Sequence, residues 1–551
     1  MLYLCANFKN RLKMKLDMKL KTTWSIMMLM LIFFVACSDD NTVTEEPTPI
    51  DPVEEPVKTA TEVLEGIQGV SDIKEARDAN KNDIVTFYFE QPIDHTNPAA
   101  GTFKQYCVLH YKGPNEVTVL HTQGYSTGEP DKIKQPGLTT NLNGNYLEVE
   151  HRYYKHSAIN KDADYYDPNY WTYNTAAQST ADLHDVVTAL KKTGCFKGKW
   201  VSTGVSKNGI LTALYAYYYP NEMDVYVPFC APFCDAAEST GIGEYLVKEC
   251  GKGTELQKRV WEVLGEMATN EKLRTEMTEC YKRDKPNVAM IQRYTDTQAM
   301  CELVARYMSS MFDKFCYHPT DEWDNVIPTK DSNAEIYYQF CMMNQPDFYK
   351  RLNTLRTLWD FEIAEEVDQY EYDEFDEYEL DDEDQWQYGE EDVESASTRS
   401  RRAQKMTFEQ LLPVIYHVHA AKELGYFVFD WSVLPANHVL PESNLKWLKK
   451  YYSVTSYNKT YGVTYDGGKL TKDFFEFLKN NRNKDKCKMF FIYGANDPWT
   501  GAAIPDPAAD DPYIIKHIVP KGVHSGWLNS PSHYTAQERD YIMNTVREML
   551  K

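Results

Sequence analysis

The sequence predicts an α/β protein with a mostly parallel sheet, interrupted by a large helical insertion. Three observations predict it. Between residues 83 and 229, short runs rich in β-branched and aromatic residues alternate with helical periods, as when crossover helices join parallel strands. From 235 to 433 long helical periods replace the strands, at 256–267, 289–312 and 334–341. Strand patterns then resume at 488–494 and 513–519, before a closing helix over 535–550.

The chain opens on a targeting segment. Lys9, Arg11, Lys13, Lys15, Lys19 and Lys21 precede an apolar run over 24–36. That run is too short to cross a bilayer and has the length of a signal-peptide core. It ends in Ala36-Cys37-Ser-Asp-Asp40, which resembles a bacterial lipoprotein cleavage site. The expectation is a signal peptide over 1–36 and an exported protein held by lipid on Cys37, at the cell surface or the periplasmic face. Residues 37–62, rich in Thr, Glu and Pro, read as a disordered tether.

The formal net charge is −23, and 362–394 carries 18 acidic residues with no Lys or Arg. The acidity is therefore mostly one local feature, read as a solvated loop over 362–398 inside the insertion. It argues against a nucleic-acid partner, which needs a basic surface. Of twelve cysteines, ten lie scattered beyond the leader and anchor, with no C-x-x-C pair and no Cys/His spacing of a zinc site. An exported chain allows disulfides, and their pairing cannot be read from sequence.

The first part of the core, 63–234, contains strands at 83–90, 103–111, 117–121 and 146–149, then an amphipathic helix at 179–192. Strand 200–203 follows, then a helix over 210–219 built from Leu, Ala and aromatics and stopped by Pro220, then strand 224–229. The insertion, 235–433, reads as a cap over the sheet. The second part of the core is 434–551.

Between strand 200–203 and its helix lies Gly204-Val-Ser206-Lys-Asn208-Gly209. Strand, sharp turn and helix make the pattern of a nucleophile elbow. The turn exposes the serine hydroxyl, and the helix N-terminus faces a developing oxyanion. The motif departs from G-x-S-x-G at Asn208, with Gly209 one position late. Gly124-Tyr-Ser126-Thr-Gly128 matches G-x-S-x-G literally, but Pro130 and Pro136 follow where the elbow helix should be. Ser206 is therefore the expected nucleophile, and Ser126 is not.

Serine needs a base that a carboxylate holds in the right tautomer. In an α/β-hydrolase these partners follow in the order Ser, Asp, His, each after a strand. Asp497 follows the strand at 488–494, and His524 follows the strand at 513–519. The reading is thus an α/β-hydrolase fold, with a large helical cap inserted before the last sheet strands and a triad of Ser206, Asp497 and His524. The backbone N–H of Lys207 supplies one oxyanion donor, and that of Gly124 or Tyr125 the other. No cofactor or metal is implied.

The chain resembles the PS-10 serine peptidase family, the secreted tripeptidyl and prolyl tri/tetrapeptidyl aminopeptidases. More distantly it resembles the Pro-X carboxypeptidase and dipeptidyl peptidase II family. The resemblance is carried by Gln91-Pro-Ile-Asp-His95, Gly101-Thr-Phe103, His121-Thr-Gln-Gly-Tyr125, Glu150-His-Arg-Tyr153, Ser202-Thr-Gly-Val-Ser-Lys207 and Tyr493-Gly-Ala-Asn-Asp-Pro498. It implies an exopeptidase that removes tripeptides or tetrapeptides, after proline among others, from free N-termini, with a cap that excludes folded proteins. It assigns the same triad. An acid should then hold the substrate ammonium. Glu150, at a strand end, is one candidate, against its pairing with Arg152; Asp235 and Glu238 in the cap are others. Two rivals stand beside this reading: an esterase or lipase on the same fold, and a catalytically inactive peptide-binding lipoprotein, for which Asn208 and the acidic run speak.

Overall fold

The structure is a computed structural model that describes residues 58–160, 163–165, 167–317, 326–343, 408–427 and 461–551. The signal peptide, Cys37 and the acidic run fall outside the described residues. Among the described residues, no helix is long and apolar enough to cross a membrane. Order begins earlier than the expected tether end. Thr59 caps a short helix, Ala60–Glu65, through a capping box with Glu62.

The strands of the main sheet are β1 (Val70–Arg77), β2 (Asp83–Pro92), β3 (Thr102–His110), β4 (Thr118–Thr122), β5 (Asn145–Val149), β6 (Trp200–Val205) and β7 (Val225–Phe229). A two-residue strand, β8 (Glu238–Ser239), pairs in parallel with β9 (Tyr426–Phe427) in a separate small sheet. The main sheet then takes β10 (Met489–Gly494) and β11 (Ile514–Val519), giving the order β1-β2-β3-β5-β4-β6-β7-β10-β11. The contacts among β1, β2, β3 and β5 are antiparallel. From β5 to β11 every pairing is parallel. Eight of these strands lie within a residue or two of the sequence reading. β1 was not expected: its sequence, VSDIKEAR, is charged and nowhere fully buried, as an edge strand tolerates.

Both faces of the parallel strands are covered, so their residues sort by twos into two cores. Leu120, Leu147, Phe491 and Tyr493 join Leu183, Val187 and Leu214 on one side. Val119, Val201, Phe490 and Ile492 join Ile542 and Val546 on the other. The covering helices are α1 (Ala176–Lys192) and α2 (Lys207–Tyr218) on the first side, and the closing helix Ala536–Leu550 on the second. A further helix, Lys469–Asn481, adds Leu470, Phe474 and Leu478 to the first core at i, i+4, i+8 spacing; the sequence reading passed over it.

Apart from the two-residue strands β8 and β9, the insertion is built from helices where it is described. Gly241–Lys248, Glu255–Thr269, Glu271–Asp284, Asp296–Tyr317 and Ala334–Cys341 pack around their own core of Val260, Met267, Met277, Tyr307, Met311 and Tyr337. The helical period expected over 289–312 divides into a short turn, Ala289–Gln292, and the long helix Asp296–Tyr317. Later in the insertion, Phe408–His419 runs into a π-helical turn, Ala420–Leu424.

Candidate active site

Ser206 sits between β6 and α2 with φ 58° and ψ −124°. A non-glycine residue in that region is strained by roughly 1–3 kcal/mol and persists only where its surroundings impose it. Here they do. Ser206 N–H donates to Phe229 O on β7 at 3.0 Å, and Ser206 O accepts from Ile210 N at 2.9 Å. A Cβ at Gly204 would stand 2.6 Å from the Asn208 backbone. One at Gly209 would stand 2.6 Å from Phe229 O and 3.1 Å from Gly204 O. So the small residue this crossing needs on the helix side is Gly209. Asn208 is tolerated because Gly204, opposite it, has no side chain.

The base arrives on the loop after β11. His524 Nδ1 lies 2.8 Å from Asp497 Oδ2, and both side chains are buried. Asp497 follows β10, and its Oδ1 accepts the Trp499 N–H at 3.0 Å, so the carboxylate is held from two sides. His524 N–H donates to Cys316 O at 2.8 Å, and Tyr317 and Trp499 flank the imidazole with ring centroids 6.0 Å away. The cap helix Asp296–Tyr317 thus ends directly on the histidine loop. Two residues beyond His524, a Cβ at Gly526 would collide with Val205 Cγ2 at 2.5 Å. The histidine loop therefore lies against the residue that precedes Ser206.

The decoy behaves as the prolines predict. After Ser126 comes a 3-10 turn, Pro130–Lys132, and the next α-helix, Gly137–Leu142, starts only behind Pro136. The Gly124 N–H donates to Asn208 Oδ1 at 2.7 Å, so it is committed to the elbow.

Glu150 is fully buried. Its two carboxylate oxygens accept the backbone N–H groups of Thr127 and His156, both at 2.9 Å. Burial pushes its pKa up to about 8. This carboxyl ties two loops together and is closed to a substrate ammonium. Nor does it pair with Arg152, as the sequence reading weighed. Arg152 makes a bidentate pair with Asp182 on α1, at 2.8 Å from Nε and 2.7 Å from Nη2, with both side chains fully buried. His95 Nε2 adds a contact of 2.7 Å to Asp182, and Gln91 Nε2 donates to the Asp182 carbonyl and to Gln105 Oε1. Gln91, His95 and Arg152, quoted above from two separate motifs, therefore meet in one buried polar network around Asp182. Only one sign of it was visible: an acid on the apolar stripe of α1.

A second buried cluster was not foreseen. The Lys207 side chain is buried, and its Nζ has no hydrogen-bond partner among the described residues. It lies 5.2 Å from the ring centroids of Tyr125 and Tyr154 and 5.6 Å from that of Tyr416. Burial lowers its pKa to about 7, against the attraction of Glu423. Glu423, on the π-helical turn, is itself raised to about 7 by burial and accepts from the Ala176 N–H. His151, His417 and His419 are also driven low by burial, with Lys207 as the next cause.

Among the described residues, Cys230, Asp497 and His524 have ligand atoms within 4.8 Å of one another. Two of the three already bond to one another, His524 Nδ1 to Asp497 Oδ2. The nine cysteines whose state is described are all free thiols.

The sheet order, the elbow and the Asp–His pair after its last two strands define the class, an α/β-hydrolase. Within that class, residues 55–248 match the model of the PS-10 peptidase S37 family, in line with the resemblance read from the motifs. The prolyl tri/tetrapeptidyl aminopeptidase of Streptomyces mobaraensis is 32% identical over 144 residues, 26% of this chain. The match spans only 28% of that relative's length. Solved structures with a similar course include proline iminopeptidase from Mycobacterium smegmatis, at 11% identity and a TM-score of 0.32, covering 84% of this chain and 98% of that one. Homoserine O-acetyltransferase from Staphylococcus aureus is another, at 9% identity and 0.32, covering 86% and 95%. Esterase E22, at 10% identity and 0.30, covers 85% and 100%.

Proposed function

We propose that this protein is a serine exopeptidase that releases tripeptides or tetrapeptides, with proline before the cut among its sites, from the free N-termini of peptides. We place it outside the cytoplasm, held to a bacterial membrane by lipid on Cys37. The observation that carries the reading is the joint placement of Ser206 on a strained elbow and of His524, paired with the buried Asp497, on the loop lying against that elbow. The family match and the aminopeptidase relative support peptide bonds as the target.

In this reading Asp497 fixes the His524 tautomer through Nδ1 and leaves Nε2 to take the Ser206 proton. The serine oxygen attacks the scissile carbonyl. His524 returns the proton to the leaving amine, and water then hydrolyses the acyl-enzyme by the same route. The oxyanion is met by Lys207 N–H at the start of α2 and by Tyr125 N–H. Gly124, the other candidate, is engaged by Asn208. Because Glu150 is closed, the ammonium falls to an acid of the cap, with Asp235 and Glu238 as candidates. The same closure is the one feature that favours the esterase alternative, which needs no such acid.

The test uses the full-length protein, one peptide with a free N-terminus and its N-acetylated twin, with products read by mass spectrometry. Tripeptides or tetrapeptides from the free peptide alone, absent with Ser206→Ala, are expected. Cleavage of neither peptide, with hydrolysis of a short-chain ester, would replace the peptidase by the esterase.

A further inference from the structure

The residue that departs from the elbow pattern holds the oxyanion loop. Asn208 Oδ1 accepts the Gly124 N–H at 2.7 Å. Its backbone oxygen accepts Thr122 Oγ1 at 2.6 Å and Thr212 Oγ1 at 3.0 Å. The loop after β4 is therefore tied to the elbow helix at both 122 and 124. A third contact comes from Lys207. A Cβ at Gly124 would stand 2.9 Å from Lys207 Cγ, 3.1 Å from its Cδ and 2.8 Å from Asn208 Oδ1. The lysine stem thus runs directly under the Gly124 backbone and carries Nζ to the Tyr125 ring.

We propose that the Asn208 side chain is a positioning residue of the oxyanion hole. It fixes the peptide unit that precedes the Tyr125 N–H, and so sets that donor against the Lys207 N–H. The inference rests on the serine-hydrolase reading above. Its physical basis is that Gly124 is buried, so without Asn208 its N–H would lose its acceptor among the described residues. A buried unsatisfied N–H is costly enough to move a loop. An oxyanion donor displaced by a fraction of an ångström no longer matches the position the charge takes up. Restoring glycine at 208 should then weaken the enzyme, although glycine completes the elbow pattern.

The experiment compares the full-length protein with Asn208→Gly, Asn208→Ala, Asn208→Asp and Ser206→Ala. It measures kcat and KM on one ester, the rate ratio between that ester and its thiono analogue, and thermal unfolding. A thiocarbonyl sulfur accepts hydrogen bonds poorly and is badly placed for a hole built for oxygen, so the ratio reports the hole itself. For Asn208→Gly and Asn208→Ala the expected result is a kcat lower by on the order of tenfold, an unchanged KM and a smaller oxo-to-thiono ratio. A loss that came only from destabilisation would leave that ratio at its wild-type value. Asn208→Asp keeps an acceptor for Gly124 and adds a negative charge beside the developing oxyanion. It should fold as wild type does and keep the wild-type oxo-to-thiono ratio, because the loop stays tied, while its charge lowers kcat. A wild-type kcat and ratio in a folded Gly or Ala variant, or a ratio in the Asp variant as low as theirs, overturn the inference. Turnover that survives Ser206→Ala is a different result and overturns the serine-hydrolase reading itself.

Discussion

Replacing Lys207 by methionine should change how stability depends on pH. The lysine is buried under three tyrosine rings, and its pKa is lowered from 10.5 to about 7. In the unfolded chain it keeps its ordinary value. Between pH 7 and 10.5 the unfolded chain therefore binds a proton that the folded chain does not, so stability rises with pH across that window. Below pH 7 both states are protonated, and the cost of burying the charge is constant and maximal. A difference of 3.5 pH units between the two states corresponds to about 5 kcal/mol. The rings at 5.2–5.6 Å oppose this by about 0.5–2 kcal/mol each, which holds the folded pKa nearer its ordinary value and narrows the span. Glu423 is the charge facing the ammonium. Methionine keeps the stem and removes the charge. Lys207→Met should thus gain stability over wild type near pH 6–7, by up to about 5 kcal/mol, and lose that advantage by pH 10.5. Urea unfolding of both proteins at half-unit steps from pH 6 to 10.5 gives the difference curve, in which groups common to both largely cancel. A difference constant within about 1 kcal/mol over that range would refute the reasoning, because Lys207 would then titrate alike in both states.

Two further predictions concern the triad and the network behind it. Asp497→Asn keeps the geometry but presents the wrong hydrogen-bonding group to His524 Nδ1, so kcat should fall by about 10⁴ with KM nearly unchanged; steady-state kinetics on the best peptide checks it. Asp182→Asn leaves the buried Arg152 guanidinium without its counter-ion, and should cost about 3–5 kcal/mol in urea unfolding. A loss under about 1 kcal/mol there would mean that the pair is not closed to water.

Most of the sheet could be read in advance because burial leaves a local mark. Strands covered on both faces, such as Val225–Phe229 and Met489–Gly494, are continuous apolar runs. Edge strand β1 leaves no such mark, because one side of it meets water. The Asp–His pair could be read because each member follows a strand whose place in the order was clear. The role of Glu150 could not. Whether an acid at a strand end faces a cleft or a neighbouring loop depends on Thr127 and His156, and no period in the sequence records those partners.

The sequence by itself determined the α/β pattern, the helical insertion and the candidate triad, since all three rest on residue type and on order along the chain. Tertiary structure alone decided what surrounds them. Lys207 meets Tyr125, Tyr154 and Tyr416 from three other segments, and Arg152 meets Asp182 rather than its near neighbour Glu150. Asn208, which reads in the sequence as a flaw in the elbow, gains a role only because β4 and β6 are neighbours in the sheet, which brings Gly124 within reach of its amide. Periodicity records how deeply a residue is buried. Which distant groups meet there is set by how the elements pack, and the polar partners follow from that packing.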